Sequence, residues 1–429
     1  MRSSLRINSK LLLLATIALA AVQILSPSKV WEALLVALGG ACLTGYLWAR
    51  SIQKGLKLER AMRFGWAQVG DALEEKFLLR NHGLFPATWV EIFDHSDLPG
   101  YHASLATCVM GSESTSWKTR GVCKQRGIYT LGSTTLRSGD PLGICSVEIH
   151  YPESATLMVM PPVVPLPSIE VAPGGWLGEG RRHPNAAEKV YSATQVRAYA
   201  PGDSFRMIHW PTTARMSEPY VRQLEGIPEG AWWIVLDCDR KVQAGEGADS
   251  TIEAGIILAA SLADRGLRHR KEVGFIANGE EPIWMHPQGG EARRMEILRV
   301  LAGLNPGQVS LHQVLERAGP SLGRQASLVI ITPSGESDWL KPLGQLAWRG
   351  LRPTVILLDT ATFGGVRSAE PLARLLQEME IPRQIATRDL LKQPGARPAG
   401  RGQWEWHVLP TGKAIPTRLP GDMNWKRLG

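Results

Sequence analysis

The sequence predicts a membrane-anchored multidomain chain: an N-terminal two-helix transmembrane hairpin, a small β-sandwich, then an α/β doubly wound domain. Three observations carry this reading. Two long apolar runs follow one another between Leu11 and Ala49; short β-like stretches broken by turns fill the next hundred or so residues; and from Ala231 onward apolar strands alternate with amphipathic helices. The length of 429 residues and mass of 47.0 kDa suit two to three units at roughly 150 residues each. With 44% hydrophobic and 21% charged residues the composition excludes a disordered chain and a coiled coil.

The formal net charge of +8 would suggest a nucleic-acid partner if it lay on a folded domain. Residues 1–63 hold nine Lys/Arg against two Asp/Glu, and 390–429 hold seven against two. The excess therefore sits at the two ends, the body between them is mildly acidic, and no nucleic-acid partner is expected.

The first apolar run, Leu11 to Leu25, is short for a span, which needs roughly 17–25 residues; the second, Val30 to Ala49, is long enough. The break Ser26-Pro27-Ser28-Lys29 between them predicts a helical hairpin. Arg2, Arg6 and Lys10 precede it and Arg50, Lys54, Lys57, Arg60 and Arg63 follow it, against Lys29 alone in the turn, so both ends are expected on the cytoplasmic side of the plasma (inner) membrane. A cleaved signal peptide is the competing reading, since a charged start, an apolar stretch and Ala18-Leu19-Ala20 resemble one. The second apolar run speaks against it, as do five cysteines (Cys42, Cys108, Cys123, Cys145, Cys238), odd in number and without paired spacing.

From Phe64 to Pro165, strands are expected at Lys76–Arg80, Thr88–Phe93, Leu105–Met110, Gly127–Leu131, Thr134–Arg137, Ile144–His150 and Thr156–Met160, a spacing that suits a β-sandwich. The Pro-rich stretch Pro161–Pro173 and polar segment Gly174–Glu188 read as a linker. In the α/β part the expected strands are Trp232–Leu236, Val273–Ala277, Leu328–Thr332 and Thr354–Asp359. The expected helices are Thr251–Ala263, with Ile252, Ile256, Ala259 and Ala263 at helical spacing, then Glu291–Leu301, Leu311–Ala318, Ser337–Trp348 and Glu370–Met379. The domain plan is thus 1–63 transmembrane hairpin and juxtamembrane basic segment, 64–165 β-sandwich, 166–225 linker and signature segment, 226–390 α/β domain, and 391–429 a basic tail with one β-like patch around Trp404–Leu409.

The sequence has no phosphate-loop, HExxH or CxxC motif, no GxGxxG at a strand-to-helix turn and no GxSxG nucleophile elbow. Fifteen tryptophans stand mostly beside apolar partners, as in Trp232-Trp233 and Trp339/Trp348, and are expected in cores or interfaces.

Residues 197–215 carry the most information. Pro201-Gly202 is a turn, Asp203 is placed to cap a short helix, and Arg197, Arg206 and Arg215 bring three guanidinium groups near Asp203 and His209. Two readings stand side by side: a structural knot in which arginine forks bind Asp203 and carbonyls while Trp210 plugs the seam between the β-domain and the α/β-domain, or a recognition surface for an acidic partner or phosphate. A hydrolase using His209 with Asp203 lacks a nucleophile beside a base.

The pattern Arg197-x-Tyr199-x-x-Gly202-Asp203-x-x-Arg206-x-Ile208-His209-Trp210-x-x-Thr213-Ala214-Arg215 resembles the signature of the domain of unknown function 58 (DUF58) family, membrane-anchored proteins often encoded beside MoxR-type AAA+ ATPases and transglutaminase-like proteins. Arg126-Gly127-x-Tyr129-x-Leu131-Gly132 and Asp140-Pro141-x-Gly143 are a second family-like stretch. The resemblance implies that the α/β domain is von Willebrand A-like, and that the chain is a non-catalytic adaptor, not an enzyme, working with a MoxR-type AAA+ ATPase and a transglutaminase-like membrane protein in assembly or maturation of other proteins.

Von Willebrand A domains often hold Mg²⁺ through Asp-x-Ser-x-Ser after the first strand, helped by a Thr and an Asp from later loops, all hard oxygen ligands. The corresponding stretch here is Asp237-Cys238-Asp239-Arg240-Lys241, followed later by Thr332-Pro333-Ser334 with Glu336 and Asp338 as the next acids. Asp239 replaces the first Ser and Lys241 sets an ammonium where a hydroxyl would face the metal, so these are degenerate metal-site positions and no metal or other cofactor is expected. A metal-dependent ligand-binding module is the alternative.

Overall fold

The structure, a computed structural model, describes residues 2–62, 65–166, 169–172, 193–199, 208–216, 218–224, 231–319, 321–322, 326–392, 405–408, 414–418 and 426–427. It divides into two compact units, one of residues 1–162 with 398–429 and one of 163–397.

The first unit starts with a strand, β1 (Arg2–Ile7), and runs straight into helices α1 (Lys10–Leu25) and α2 (Lys29–Gly55). Ser28 caps α2 by accepting from the Val30 amide at 3.3 Å. At 27 residues, with a mean hydropathy of 1.5 over its most apolar window, α2 is long and apolar enough to cross a membrane; α1, with 16 residues, is shorter. The two helices meet where Thr16 Oγ1 lies 3.8 Å from Cys42 Sγ.

After α2 come β2 (Leu56–Met62), β3 (Trp66–Gln68), β4 (Ala72–Asn81), β5 (Ala87–Asp94), β6 (Leu105–Val109), β7 (Ser114–Val122), β8 (Gly127–Gly139) and β9 (Cys145–Met160). One sheet has the order β1-β9-β8-β5-β6, with β3 parallel to β9; the other has β2, β4 and β7, closed on its outer edge by the C-terminal strand β20 (Lys426–Arg427). The inner faces bury Leu56, Leu79, Ile92, Leu136 and Ile149 together with Ile52 of α2, and further along Phe77, Leu131 and Leu157. These sheets take in β1 and β2, which lie before the residue-64 start expected for the sandwich. Two pairs of expected strands fuse: Gly127–Leu131 with Thr134–Arg137, through a bulge at Gly132, and the two halves of β9. Gly132 has φ +102, and a Cβ there would sit 2.6 Å from the Glu153 carbonyl oxygen, so the bulge needs glycine.

The alternation that makes β4 a half-buried strand also turns Glu75 inward, where it is 0% exposed. Arg60 answers it with a fork, Nε to Oε1 at 2.9 Å and a terminal nitrogen to Oε2 at 2.6 Å, and gives a third bond to Asp94 at 2.6 Å. The Tyr101 hydroxyl also donates to Glu75; burial, reinforced by the Glu75 charge, pushes its phenol well above the usual range.

The second unit holds a hairpin, β10 (Ala193–Ala198) with β11 (Tyr220–Leu224), and between them the short helix α3 (Trp210–Met216). Its α/β part runs β12 (Trp232–Leu236), α4 (Thr251–Arg268), β13 (Val273–Asn278), β14 (Pro282–Gln288), α5 (Glu291–Ala302), α6 (Leu311–Ala318), β15 (Ser327–Thr332), α7 (Leu340–Trp348), β16 (Arg352–Leu358), α8 (Glu370–Glu378) and β17 (Arg383–Ala386). A further hairpin, β18 (Glu405–Val408) with β19 (Ala414–Arg418), belongs to the C-terminal segment and covers the expected patch. The strand order β14-β13-β12-β15-β16-β17, parallel except for β14 at its edge, is doubly wound.

Ser250 and Ser310 accept the Glu253 and Gln313 amides three residues on, so α4 and α6 begin at capping-box sequences. Ile252, Ile256, Ala259 and Ala263 are all buried, as their spacing predicts, although α4 continues to Arg268. Trp233 and Trp339 are core residues, and Trp348, which ends α7, is 93% exposed, away from the face that Leu343 and Leu346 bury.

Candidate functional site

The strand order reverses at β12, so the crevice at the C-terminal ends of β12 and β15 is where an open α/β sheet offers a binding place. Asp237 follows β12 directly and is 2% exposed. Its Oδ2 accepts from the Thr332 hydroxyl at 2.7 Å; its Oδ1 accepts from Asn278 Nδ2 and from the Asp239 amide, both at 3.1 Å. Thr332 also accepts from the Ser334 amide at 2.9 Å, which uses its hydroxyl in both directions. Gln243 reaches the Asp237 carbonyl at 3.0 Å and is itself held by Thr251 at 2.7 Å. Burial raises the Asp237 carboxyl above the usual carboxylate range, and the nearby Asp239 adds to this, while the three hydrogen bonds pull the other way.

Asp239, 6% exposed, accepts the Lys241 amide at 3.0 Å. The Lys241 side chain is exposed. The donors that serve Asp237 are all neutral: a hydroxyl, a side-chain amide and a backbone N–H. Glu336 pairs with Arg367 at 3.1 Å and Asp338 accepts its neighbour's amide at 2.9 Å. Among the described residues no three His, Cys, Asp or Glu side chains converge to hold a metal ion. With both Asp237 oxygens and the Thr332 hydroxyl committed, this arrangement does not fit a hard divalent ion, which wants six or more oxygen ligands or its own waters. Asn278 and Gln243 escaped the sequence reading; a polar residue ending the buried run Val273–Ala277 is the one signal for Asn278.

The signature segment lies on the hairpin. Arg197 pairs in register with Val221, Ile208 bridges the same residue, and the Tyr199 and His209 amides donate to the Pro219 and Tyr220 carbonyls at 2.8 and 2.7 Å. The two ends of the signature thus meet around 219–221. Gly202, Asp203 and Arg206 lie outside the described residues, as does the Arg197 side chain. His209 Nδ1 and Thr212 Oγ1 are 2.7 Å apart, the His209 carbonyl accepts the Thr212 and Thr213 amides, and Thr213 Oγ1 accepts the Tyr220 amide, which fastens α3 to β11. Trp210 is 68% exposed and Met216 58%, with Ala214 and Arg215 exposed beside them. The bonds that fix α3 run through its threonines and leave the indole exposed.

A family model described as "Protein of unknown function DUF58" matches residues 195–361. An uncharacterized protein of Mycobacterium bovis is 26% identical over 171 residues, 38% of this chain and 54% of its own length. The uncharacterized protein YeaD of Bacillus subtilis is 26% identical over 239 residues, 54% of this chain and 56% of its own. The chain thus spans about half the length of the curated relatives it matches. The family match and these relatives support the resemblance to the DUF58 family that the 197–215 signature carries.

Proposed function

We propose that this chain is a non-catalytic, membrane-anchored binding platform, an adaptor that works with a MoxR-type AAA+ ATPase in the assembly or maturation of other proteins. The observation that carries it is the signature helix. A Trp 68% exposed, flanked by exposed Arg215 and Met216 on a helix pinned by side-chain and backbone bonds, has the composition of an interface anchor rather than of a core. Asp237, the buried acid of the switch-point crevice, is satisfied by donors of the protein itself, which favours a binding role over acid–base chemistry. The doubly wound domain is read as von Willebrand A-like with a degenerate ion position.

The anchor is read as two-pass, with both units in the cytoplasm. Support comes from β1 and β2, which enter and leave the α1–α2 pair and both belong to the sandwich sheets, so a chain that crosses in α2 has to cross back in α1. Exposed Arg2, Arg6, Arg50, Lys54 and Lys57 at those ends agree with a cytoplasmic side.

Affinity purification of the full-length protein from native membranes, followed by mass spectrometry, tests the reading. An AAA+ ATPase should co-purify, and Trp210→Ala should lose most of it while keeping its melting temperature. Purification without any such ATPase would remove the adaptor role.

A further inference from the structure

We propose that three loops of the β-sandwich, residues 82–86, 110–112 and 140–144, form a footing that sits in the headgroup–acyl boundary of the bilayer, with an anionic phospholipid surface as its ligand. The proposal rests on the reading that α2 spans the membrane.

The loops carry exposed apolar side chains at their tips: Leu84 is 88% exposed, Leu142 65% and Met110 59%. All three are tied to one stretch of α2. The Trp48 ring stacks on Phe85 with centroids 4.8 Å apart, and its Nε1 donates to the Pro86 carbonyl at 2.8 Å. The His82 amide donates to the Gly55 carbonyl at 2.9 Å. The second loop joins the first through the Ser112 amide, which donates to the Gly83 carbonyl at 3.0 Å. The third meets α2 higher up, where a Cβ at Gly45 would stand 3.3 Å from Asp140 Oδ2.

Helix geometry then sets the depth. The apolar stretch from Val30 to Ala49 covers about 30 Å at about 1.5 Å per residue, the thickness of a hydrocarbon core, so its last turn reaches the interface. Trp48 lies in that last turn and Gly45 just before it, and Trp48 is the residue type that favours this level. Just beyond, exposed Arg50, Lys54 and Lys57 of the α2–β2 junction supply positive charge for anionic headgroups. The loops are also rigid. The Asp140 carboxylate of the Asp140-Pro141-x-Gly143 stretch accepts the amides of Leu142, Ile144 and Cys145, and Asn81 accepts the Gly83 amide and donates to the Phe85 carbonyl. Seating the tips in lipid therefore orders little that is not already ordered.

The full-length protein, with Cys42→Ser and Cys108→Ser, is reconstituted in phosphatidylethanolamine–phosphatidylglycerol vesicles. The remaining cysteines are buried, and burial pushes the Cys123 thiol up to about 11, so they resist labelling. An environment-sensitive fluorophore is attached in turn through Leu84→Cys, Leu142→Cys, Val36→Cys and Val122→Cys. Val36, 69% exposed within the apolar stretch of α2, reports the span; Val122, 48% exposed, is paired with Ala72 at the far end of β4 and serves as the distant control. The expected result is strong quenching at 84 and 142 by a lipid spin-labelled near its headgroup, consistent with about 5–10 Å of immersion, deep quenching at 36, and none at 122. Quenching at 36 but not at 84 and 142 would overturn the footing and leave the span intact. No quenching at 36 would remove the span, and the footing with it. Labels at 84 and 142 shielded from both lipid quencher and aqueous iodide would mean that protein covers the tips, which also overturns the proposal.

Discussion

Thr332 donates its hydroxyl to Asp237 Oδ2 at 2.7 Å across the seam between β12 and β15, the two strands on either side of the switch point. With Asn278 on the other oxygen, a hydroxyl and an amide from the neighbouring strands converge on one buried carboxylate. The carboxylate is thus a tie among the three central strands. Thr332→Val keeps the shape and removes one donor from a buried acid, which should cost about 1–3 kcal/mol in urea unfolding. A loss below the measurement error would mean that water replaces the hydroxyl and the crevice is wetter than the 2% exposure of Asp237 implies.

The same carboxyl sets a pH dependence. Burial raises its folded pKa above the unfolded carboxylate value of about 3.9, so over the interval between the two the native state binds more protons than the unfolded state. Stability from this group is full below the unfolded value and is lost as pH rises through the folded one. Asp237→Asn cannot titrate, so its melting temperature, compared with wild type from about pH 4 upward, should fall less with rising pH. Parallel curves for the two proteins would contradict the raised carboxyl.

The sandwich also buries charge. Glu75 and Asp94 are buried on either side of Arg60, whose guanidinium also lies over the Phe77 ring at 5.1 Å. Arg60→Met would leave two buried carboxylates without a cation, and should destabilise the protein by about 3–5 kcal/mol. Arg60→Met combined with Glu75→Leu removes one of those acids and should recover part of the loss; a double variant no better than the single one would show that the Glu75 charge is not what makes the change costly.

The parts legible in the sequence were those governed by local period. Ile252, Ile256, Ala259 and Ala263 mark the buried face of α4 because helical spacing repeats within the segment, and Trp232–Leu236 and Leu328–Ile331 are continuous apolar runs because both faces of their sheet are covered. What escaped depends on distant partners. Arg2–Ile7 reads as a charged flank to an apolar helix and becomes a strand only because β9, far along the chain, offers Cys145–His150 as its partner. At the candidate site, Asp237 and Thr332 stand out as polar residues ending apolar strands. The bond from the Lys241 amide to Asp239, in contrast, is a turn that side-chain charge does not reveal.

The β1 pairing bears directly on the N-terminus. Six residues, Arg2 to Ile7, run in antiparallel register with Cys145–His150, and the Asn8 amide continues onto the Ile144 carbonyl at 2.8 Å. Cleavage after Ala20 would strip this strand from the sheet and leave the β9 edge unpaired. Mass spectrometry of the protein from membranes should therefore find the residues before Ala20 retained, and a reporter fused after Gly429 should be active in the cytoplasm. A mature N-terminus near residue 21, or periplasmic alkaline-phosphatase activity from that fusion, would refute the two-pass arrangement.

Metal titration separates the platform from a metal-dependent receptor. An ion at the switch point would have to take Asp237 oxygens from Thr332, Asn278 and the Asp239 amide, and would find the Thr332 lone pair already facing the Ser334 amide. Each displaced donor would be left buried and unpaired, at about 1–3 kcal/mol apiece, before any ligand field is formed. Isothermal titration of the protein with Mg²⁺ or Mn²⁺ is accordingly expected to give no heat of binding, and Lys241→Ser alone should not change that. Asp239→Ser with Lys241→Ser restores the hydroxyls of the Asp-x-Ser-x-Ser pattern and should bind only weakly, since Asn278 still occupies Oδ1. Sub-millimolar affinity in the unmodified protein would mean that the carboxylate opens readily, and would favour the receptor reading over the adaptor.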